Sequence, residues 1–186
     1  MRICVVGGAG KMAMGAILDF VEHPDVERVV LIDVDAAALR ARAEQLRSAK
    51  VTTAVASIGD GKSLVASLAG GDVCLNATFP ELNMPVMEAC LEAGLHYTDF
   101  GGLFHWAKDQ LALHDRFAAA GLTAVAGSGS APGIVNVMTG YAAGQLDTVE
   151  SVRILDGIVN NAPSSNPFAV PYAVMTLVRE FTMSPV

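Results

Sequence analysis

Charge is what this chain has least of: Asp, Glu, Lys and Arg make up 17% of it while 52% is hydrophobic, against a usual charged share of ~25%. A chain with so little charge is expected to bury much of its length in a sheet covered on both faces, or against a partner, so oligomerisation is expected, and the apolar residues beyond 148 suggest a homodimer through that part of the chain. The arginines are scattered rather than striped and the formal charge is −7, which excludes nucleic acid as a partner. Cysteine is scarce too. Cys4, Cys74 and Cys90 lie in apolar surroundings with no CxxC and no histidine at ligand spacing. That excludes a disulfide framework and a metal site, and it points to reduced core thiols in a cytoplasm. No apolar run approaches ~18 residues, and strand-like sequence begins at residue 2, so neither a membrane span nor a signal peptide is expected. Repeats and low-complexity segments are absent.

What is there is rhythm. Short apolar runs alternate with amphipathic segments to about residue 128, the pattern of βαβ units and a parallel sheet. Strands are expected at 2–6, 28–33, 51–56, 72–77, 96–100 and 123–127. Between them, Leu39, Ala43 and Leu46, then Met84, Met87 and Leu91, recur at helical spacing. Gly94 and Gly121 stand where helices should end, and Pro85 falls in a first turn. The fold class read from this is α/β, a Rossmann doubly wound parallel sheet over 1–128, followed by the start of a truncated α+β second domain over 129–186. In that second part, 149–156 alternates in period two like a strand with one wet face, a Pro/Ser/Asn-rich loop follows, and a helix is expected from Tyr172 to Phe181.

Glycine is concentrated at one place. Gly8, Ala9, Gly10, Lys11, Met12 and Ala13 fit G-x-G-x-x-A directly after the first strand. There Gly8 permits a tight turn, Gly10 lets a pyrophosphate approach the main chain, and Ala13 lets the helix pack close. The helix N-terminus then offers amides and its dipole, with Lys11 at the rim. Asp33 ends the second strand, placed to bond an adenosine ribose 2′-hydroxyl and to repel a 2′-phosphate, which favours NAD over NADP as cofactor. Arg40 and Arg42 are either phosphate contacts or solvated charges on a helix face. Asp35 reads as a cap for that helix. Asp60 either accepts from the adenine amino group or caps its own helix. Asn76, Ala77 and Thr78 follow the fourth strand and border the nicotinamide ribose, or form a plain strand-to-helix turn.

The ordered set "GGAGKMA", "LIDVD", "GD", "NATFP", "EAGLHYTDFGG" and "GSGSAPGIVN" resembles the saccharopine dehydrogenase-like family, which includes lysine 6-dehydrogenase and carboxynorspermidine dehydrogenase, over essentially all 186 residues. The resemblance implies a Rossmann domain with a discontinuous second domain, and NAD(P)-dependent oxidation of a C–N bond in an amino acid or secondary amine. It also implies that Tyr97 to Gly102 lies near the nicotinamide, and that Ala131 to Asn136 opens a helix facing the substrate. Gly101, Pro132, Gly133 and Asn136 are thereby substrate-binding candidates; amides at that helix start suit a carboxylate, while Ser130 and Asn136 otherwise serve as a cap and a solvent-facing residue.

Asp99 is the candidate polar group beside the reacting carbon, or else a structural carboxylate at a strand end. His96 and His105 flank the same loop as proton shuttles or structural residues. One departure is the "APG" at 131–133, where saccharopine-forming relatives carry "DPG"; losing that carboxylate puts saccharopine itself in doubt. Tyr-x-x-x-Lys is absent, which disfavours a short-chain dehydrogenase, and zinc ligand spacing is absent too. A methyltransferase makes similar demands on a glycine loop and an acid. The alternative of a different class is a non-catalytic NAD(P)-binding sensor or interaction module.

Overall fold

The structure, a computed structural model, describes residues 1–102, 104–155, 157 and 174–182. Its centre is a six-stranded parallel sheet: β1 (Arg2–Val6), β2 (Arg28–Asp33), β3 (Val51–Val55), β4 (Val73–Asn76), β5 (His96–Asp99) and β6 (Ala124–Val125). The order is β3-β2-β1-β4-β5-β6, the doubly wound arrangement whose strand order reverses between β1 and β4. Both halves are in parallel register, Cys4 pairing with Val30 on one side and with Cys74 on the other.

Alternation along β1 shows why both faces of the sheet need cover. Ile3 and Val5 point into a core shared with Ile17 of α1 (Met14–Glu22) and Leu39 of α2 (Ala36–Leu46). Cys4 and Val6 point the other way. They meet Leu64 and Leu68 of α3 (Gly61–Leu68), Val86, Met87 and Cys90 of α4 (Asn83–Ala93), and Phe117 of α6 (His114–Ala119). The remaining connection is α5 (Phe104–Leu111), and a 3₁₀ turn, Pro80–Leu82, precedes α4.

Helix punctuation follows the sequence. Asp35 caps α2 through the amides of Ala37 and Ala38, both at 2.9 Å. Gly94 and Gly121 take φ of +76° and +67°, values an L side chain resists. The strands expected at 51–56, 72–77, 96–100 and 123–127 are each shorter, most of all β6, which keeps two residues and pairs with β5 alone.

Backbone contacts divide the chain into two units, Met1–Leu146 and Asp147–Val186, so α7 (Ile134–Ala143) falls in the first. In the second, α8 (Val174–Thr182) answers to the helix expected at 172–181. The strand expected at 149–156 does not form among the residues described there, and Val152, Ile154 and Leu155 are exposed. Alternation marks a face, but a strand also needs a ladder partner for its amides and carbonyls. The loop expected at 160–171 lies outside the described residues. No helix among the described residues is long and apolar enough to cross a membrane.

The three thiols are free and buried. Burial pushes Cys4 up from 9.0 to about 11, and Cys74 is pushed up chiefly by its hydrogen bond with Cys90 and then by burial. A raised folded-state pKa gives stability that is present below the unfolded value and is lost as pH rises through the folded one. Guanidinium denaturation should therefore show stability declining as pH climbs from 9.0 towards about 11, and Cys4→Ala should show a shallower decline than the parent chain.

Candidate functional site

The main chain after β1 turns in a space with no room for side chains. Gly7 sits at φ +78°, and a Cβ there would fall 2.9 Å from Thr78 Cγ2 and 3.1 Å from the backbone of Ala77. A Cβ on Gly8 would fall 2.9 Å from Leu31 Cβ and 3.0 Å from the Val5 carbonyl oxygen. The amides of both glycines donate to the Ile32 carbonyl, at 2.9 and 3.1 Å. The tight turn expected of Gly8 therefore belongs to Gly7, which carries the left-handed backbone, and Gly8 instead lets the loop lie against β2. Gly10 donates to the Gly7 carbonyl at 2.9 Å and is exposed. Ala13 is fully buried under α1, as the motif requires.

Beyond Gly10 the chain stops satisfying itself. The backbone amides of Lys11, Met12 and Ala13 make no hydrogen bond among the described residues. The residue before α1, Ala13, supplies no capping side chain, whereas α2 and α3 are closed by Asp35 and Asp60. Open amides at the end of a helix dipole form an anion site. Here that site stands at the carboxyl end of β1, beside the point where strand order reverses. Lys11 and Met12 are exposed at its rim.

Asp33 ends β2 next to this loop. Its Oδ2 accepts from the Ala9 amide at 3.2 Å and its Oδ1 from the Asp35 amide at 3.3 Å, both long bonds that leave each oxygen able to accept another donor. Asp60, by contrast, accepts from the Ser63 amide at 3.2 Å as a helix cap. Of the two arginines on α2, Arg40 is exposed. Arg42 reaches back instead to the Ala9 and Gly10 carbonyls, at 3.0 and 3.3 Å.

The second half of the site is a buried polar network at the ends of β4 and β5. Asn76, Asn83, Asp99 and Gln110 are each 3% exposed or less. Asn76 Nδ2 donates to Asn83 Oδ1 at 2.8 Å and to the Tyr97 hydroxyl at 3.2 Å. Its Oδ1 accepts from the Thr78 amide and hydroxyl, at 3.1 and 2.6 Å. Asp99 Oδ2 accepts from the Tyr97 hydroxyl at 2.8 Å and Gln110 Nε2 at 2.6 Å, and Oδ1 from the amides of Gly101 at 2.6 Å and Gly127 at 2.8 Å. Four donors fill the four acceptor positions of a carboxylate. Burial, and then the adjacent Asp99, hold the Tyr97 phenol far above its ordinary pKa, so it remains a donor.

Those two amides tie the loops after β5 and β6 together. A Cβ on Gly101, at φ +89°, would meet Pro132 Cγ at 2.6 Å, and one on Gly102 would meet Pro80 Cβ at 2.5 Å. The structure thus brings Gly101, Pro132 and Gly133 together at the carboxyl end of the sheet. The amides at the start of α7, expected to be open to a substrate carboxylate, are taken: Ile134, Val135 and Asn136 donate to the carbonyls of Gly129, Ser130 and Gly133. Asn136 Oδ1 accepts from the Gly133 amide at 2.9 Å, so Asn136, not Ser130, supplies the capping side chain. His96 Nδ1 accepts from the Thr123 amide at 2.9 Å, and His105 is exposed on α5, its ring set edge-on to Phe104. Ala77 and Thr78 border Gly7 across the switch point, while the Asn76 side chain turns inward to the network. Among the described residues no His, Cys, Asp and Glu cluster could hold a metal.

Gly7, Asn83 and Gln110 carry parts of this site that the sequence did not single out as functional, and Arg42, read there as a phosphate contact or a solvated charge, instead grips the glycine turn. Gly7 had a signal, the doubled glycine of "VVGGAG"; Asn83 and Gln110 lie among ordinary helix residues, and nothing in their spacing marks them.

Two outcomes follow from these contacts. Gly8→Ala should destabilise the chain by about 1–3 kcal/mol, the usual cost of overpacking, read by denaturant titration. Asp99→Asn should cost about 2–4 kcal/mol in the same measurement, because its new amide group would face donors and leave at least one buried group unpaired.

Residues 3–125 match the family model described as the saccharopine dehydrogenase NADP binding domain. A carboxynorspermidine synthase of Vibrio cholerae is 33% identical over 120 residues, covering 59% of this chain and 28% of that protein. A carboxyaminopropylagmatine dehydrogenase of Synechocystis is 32% identical over 123 residues, covering 61% and 30%. Apo saccharopine dehydrogenase (L-Glu forming) of Saccharomyces cerevisiae superposes with a TM-score of 0.66 at 18% identity, over 77% of this chain and 31% of that one, a likeness of fold. The chain spans under a third of the length of the curated relatives it matches. Together with the glycine turn, the unpaired amides before α1 and the strand order, the match over most of its length makes this chain a member of the saccharopine dehydrogenase NADP-binding domain family.

Proposed function

We propose that this chain is the dinucleotide-binding part of an NAD(P)-dependent oxidoreductase acting on a C–N bond of an amino acid or secondary amine. The observation that carries the reading is the set of unpaired amides at Lys11, Met12 and Ala13 above a side-chain-free turn, at the switch point of a family dinucleotide domain. The relatives named carboxynorspermidine synthase and carboxyaminopropylagmatine dehydrogenase support an amine as the substrate class.

Gly10 lets the main chain approach the diphosphate, and the open amides with Lys11 meet its charge. The spare acceptor positions of Asp33 suit ribose hydroxyls, which supports NAD as the cofactor, while the family description supports NADP. Ala77 and Thr78 form the wall on the nicotinamide side. When bound, the nicotinamide supplies the acceptor or donor of a hydride. Asp99 acts here as a positioning residue: with all four acceptor positions filled, it holds the loops of Gly101 and Gly127 in place, and these, with Pro132 and Gly133, form the substrate side. The capping bond of Asn136 fixes the first turn of α7 beside them.

A homodimer belongs to the same reading, supported by the exposed apolar residues Ile134, Val137, Met138 and Tyr141 along α7. The buried free thiols support a reducing compartment such as the cytoplasm.

Titrating NADH and NADPH into the chain while following nicotinamide fluorescence should give saturable binding, and no binding of either rejects the proposal. Asp33→Ala should weaken NADH by about tenfold or more, the worth of one or two hydrogen bonds, and NADPH much less. Equal losses would remove the preference for NAD.

A further inference from the structure

Arg42 lies in the middle of α2, yet its side chain crosses to the glycine turn. Its Nη2 donates to the Ala9 carbonyl at 3.0 Å and the Gly10 carbonyl at 3.3 Å. Its Nη1 donates to Gln45 Oε1 at 3.1 Å and lies 2.9 Å from Met14 Sδ in the first turn of α1. The Nε is buried without a partner among the described residues. A guanidinium that leaves one donor unsatisfied and still sits there is held by what the others grip.

What they grip has a direction. The carbonyl of one residue and the amide of the next share a rigid plane and point opposite ways. Drawing the Gly10 carbonyl towards α2 therefore turns the Lys11 amide away from α2, and that amide is the first of the open donors. Ala9 is fixed from both sides, its amide on Asp33 and its carbonyl on Arg42. The same bonds put a permanent positive charge beneath the turn that faces a diphosphate.

We propose that Arg42 is the positioning residue of the diphosphate cradle, presetting the glycine turn by its hold on the Ala9 and Gly10 carbonyls and serving NADH and NADPH alike. The inference rests on the dinucleotide reading above. It differs from a 2′-phosphate contact, which would serve NADPH alone.

The test measures dissociation constants of NADH, NADPH and ADP-ribose, with melting temperature beside them, for the parent chain, Arg42→Ala and Arg42→Lys. Arg42→Ala should weaken all three ligands by one common factor of about 10 to 100, the worth of charge-assisted hydrogen bonds. Arg42→Lys should recover part of that loss, since an ammonium can still reach one carbonyl, and a purely space-filling role would give no such recovery. A loss confined to NADPH, or no loss at all, overturns the proposal. If Arg42→Ala does not fold, Arg42→Gln, which keeps a neutral donor, answers the same question by the ratio of the three losses. A parent chain that binds none of the three ligands rejects the dinucleotide reading itself; a parent that binds and variants that bind equally well reject only the role of Arg42.

Discussion

The close approach of bare backbone at Gly7 and Gly8 to the flanking strands is the constraint from which the rest of the site follows. The turn lies in contact with Leu31 of β2 on one side and with Ala77 and Thr78 after β4 on the other. Any side chain there would push these strands' ends apart. Because the turn lies so flat, α1 begins close above the strand edge, with Ala13 buried beneath it, and the amides of Lys11, Met12 and Ala13 find no partner among the described residues. The unpaired amides are a by-product of packing. The helix starts close to the sheet with Ala13 where α2 and α3 have the capping residues Asp35 and Asp60.

Opposite that site, the fold spends a buried charge. Asp99 is almost fully inaccessible, and a carboxylate so placed is costly unless each lone pair is met. Four donors from β5, α5 and two loops meet it. The arrangement fixes Gly101, in the loop to α5, and Gly127, in the loop that carries Pro132 and leads to α7, and it runs without a break through Tyr97 and Asn76 to Thr78 beside the glycine turn. One hydrogen-bonded chain thus joins the glycine turn to the loops after β5 and β6. Networks of this kind specify a single geometry because a half-satisfied alternative is worse than none.

Much of the scaffold was legible in the residues alone. Apolar runs of strand length placed all six strands to within a few residues, while amphipathic spacing and glycine stops marked α2, α4 and the end of α6. These signals are local, each set by a few neighbouring side chains and by backbone sterics. β6 came out shorter than its sequence suggested, and 149–156 yielded no strand, because pairing is a property of neighbours across space.

The site divides along the same line. The sequence by itself determined that main chain free of side chains follows the first strand, at Gly7, Gly8 and Gly10, and that an acid stands at the tip of the next strand, since steric permission and charge belong to residue types. Only the tertiary structure decided that Gly7 makes the turn, that Asn136 and the nearby carbonyls occupy the start of α7, that Asp99 is saturated, and that Arg42 holds the loop from 33 residues away. Each of those is a hydrogen bond or a contact between segments far apart in the chain, and the choice of partner among many equivalent donors and acceptors is made by packing, to which local pattern is blind.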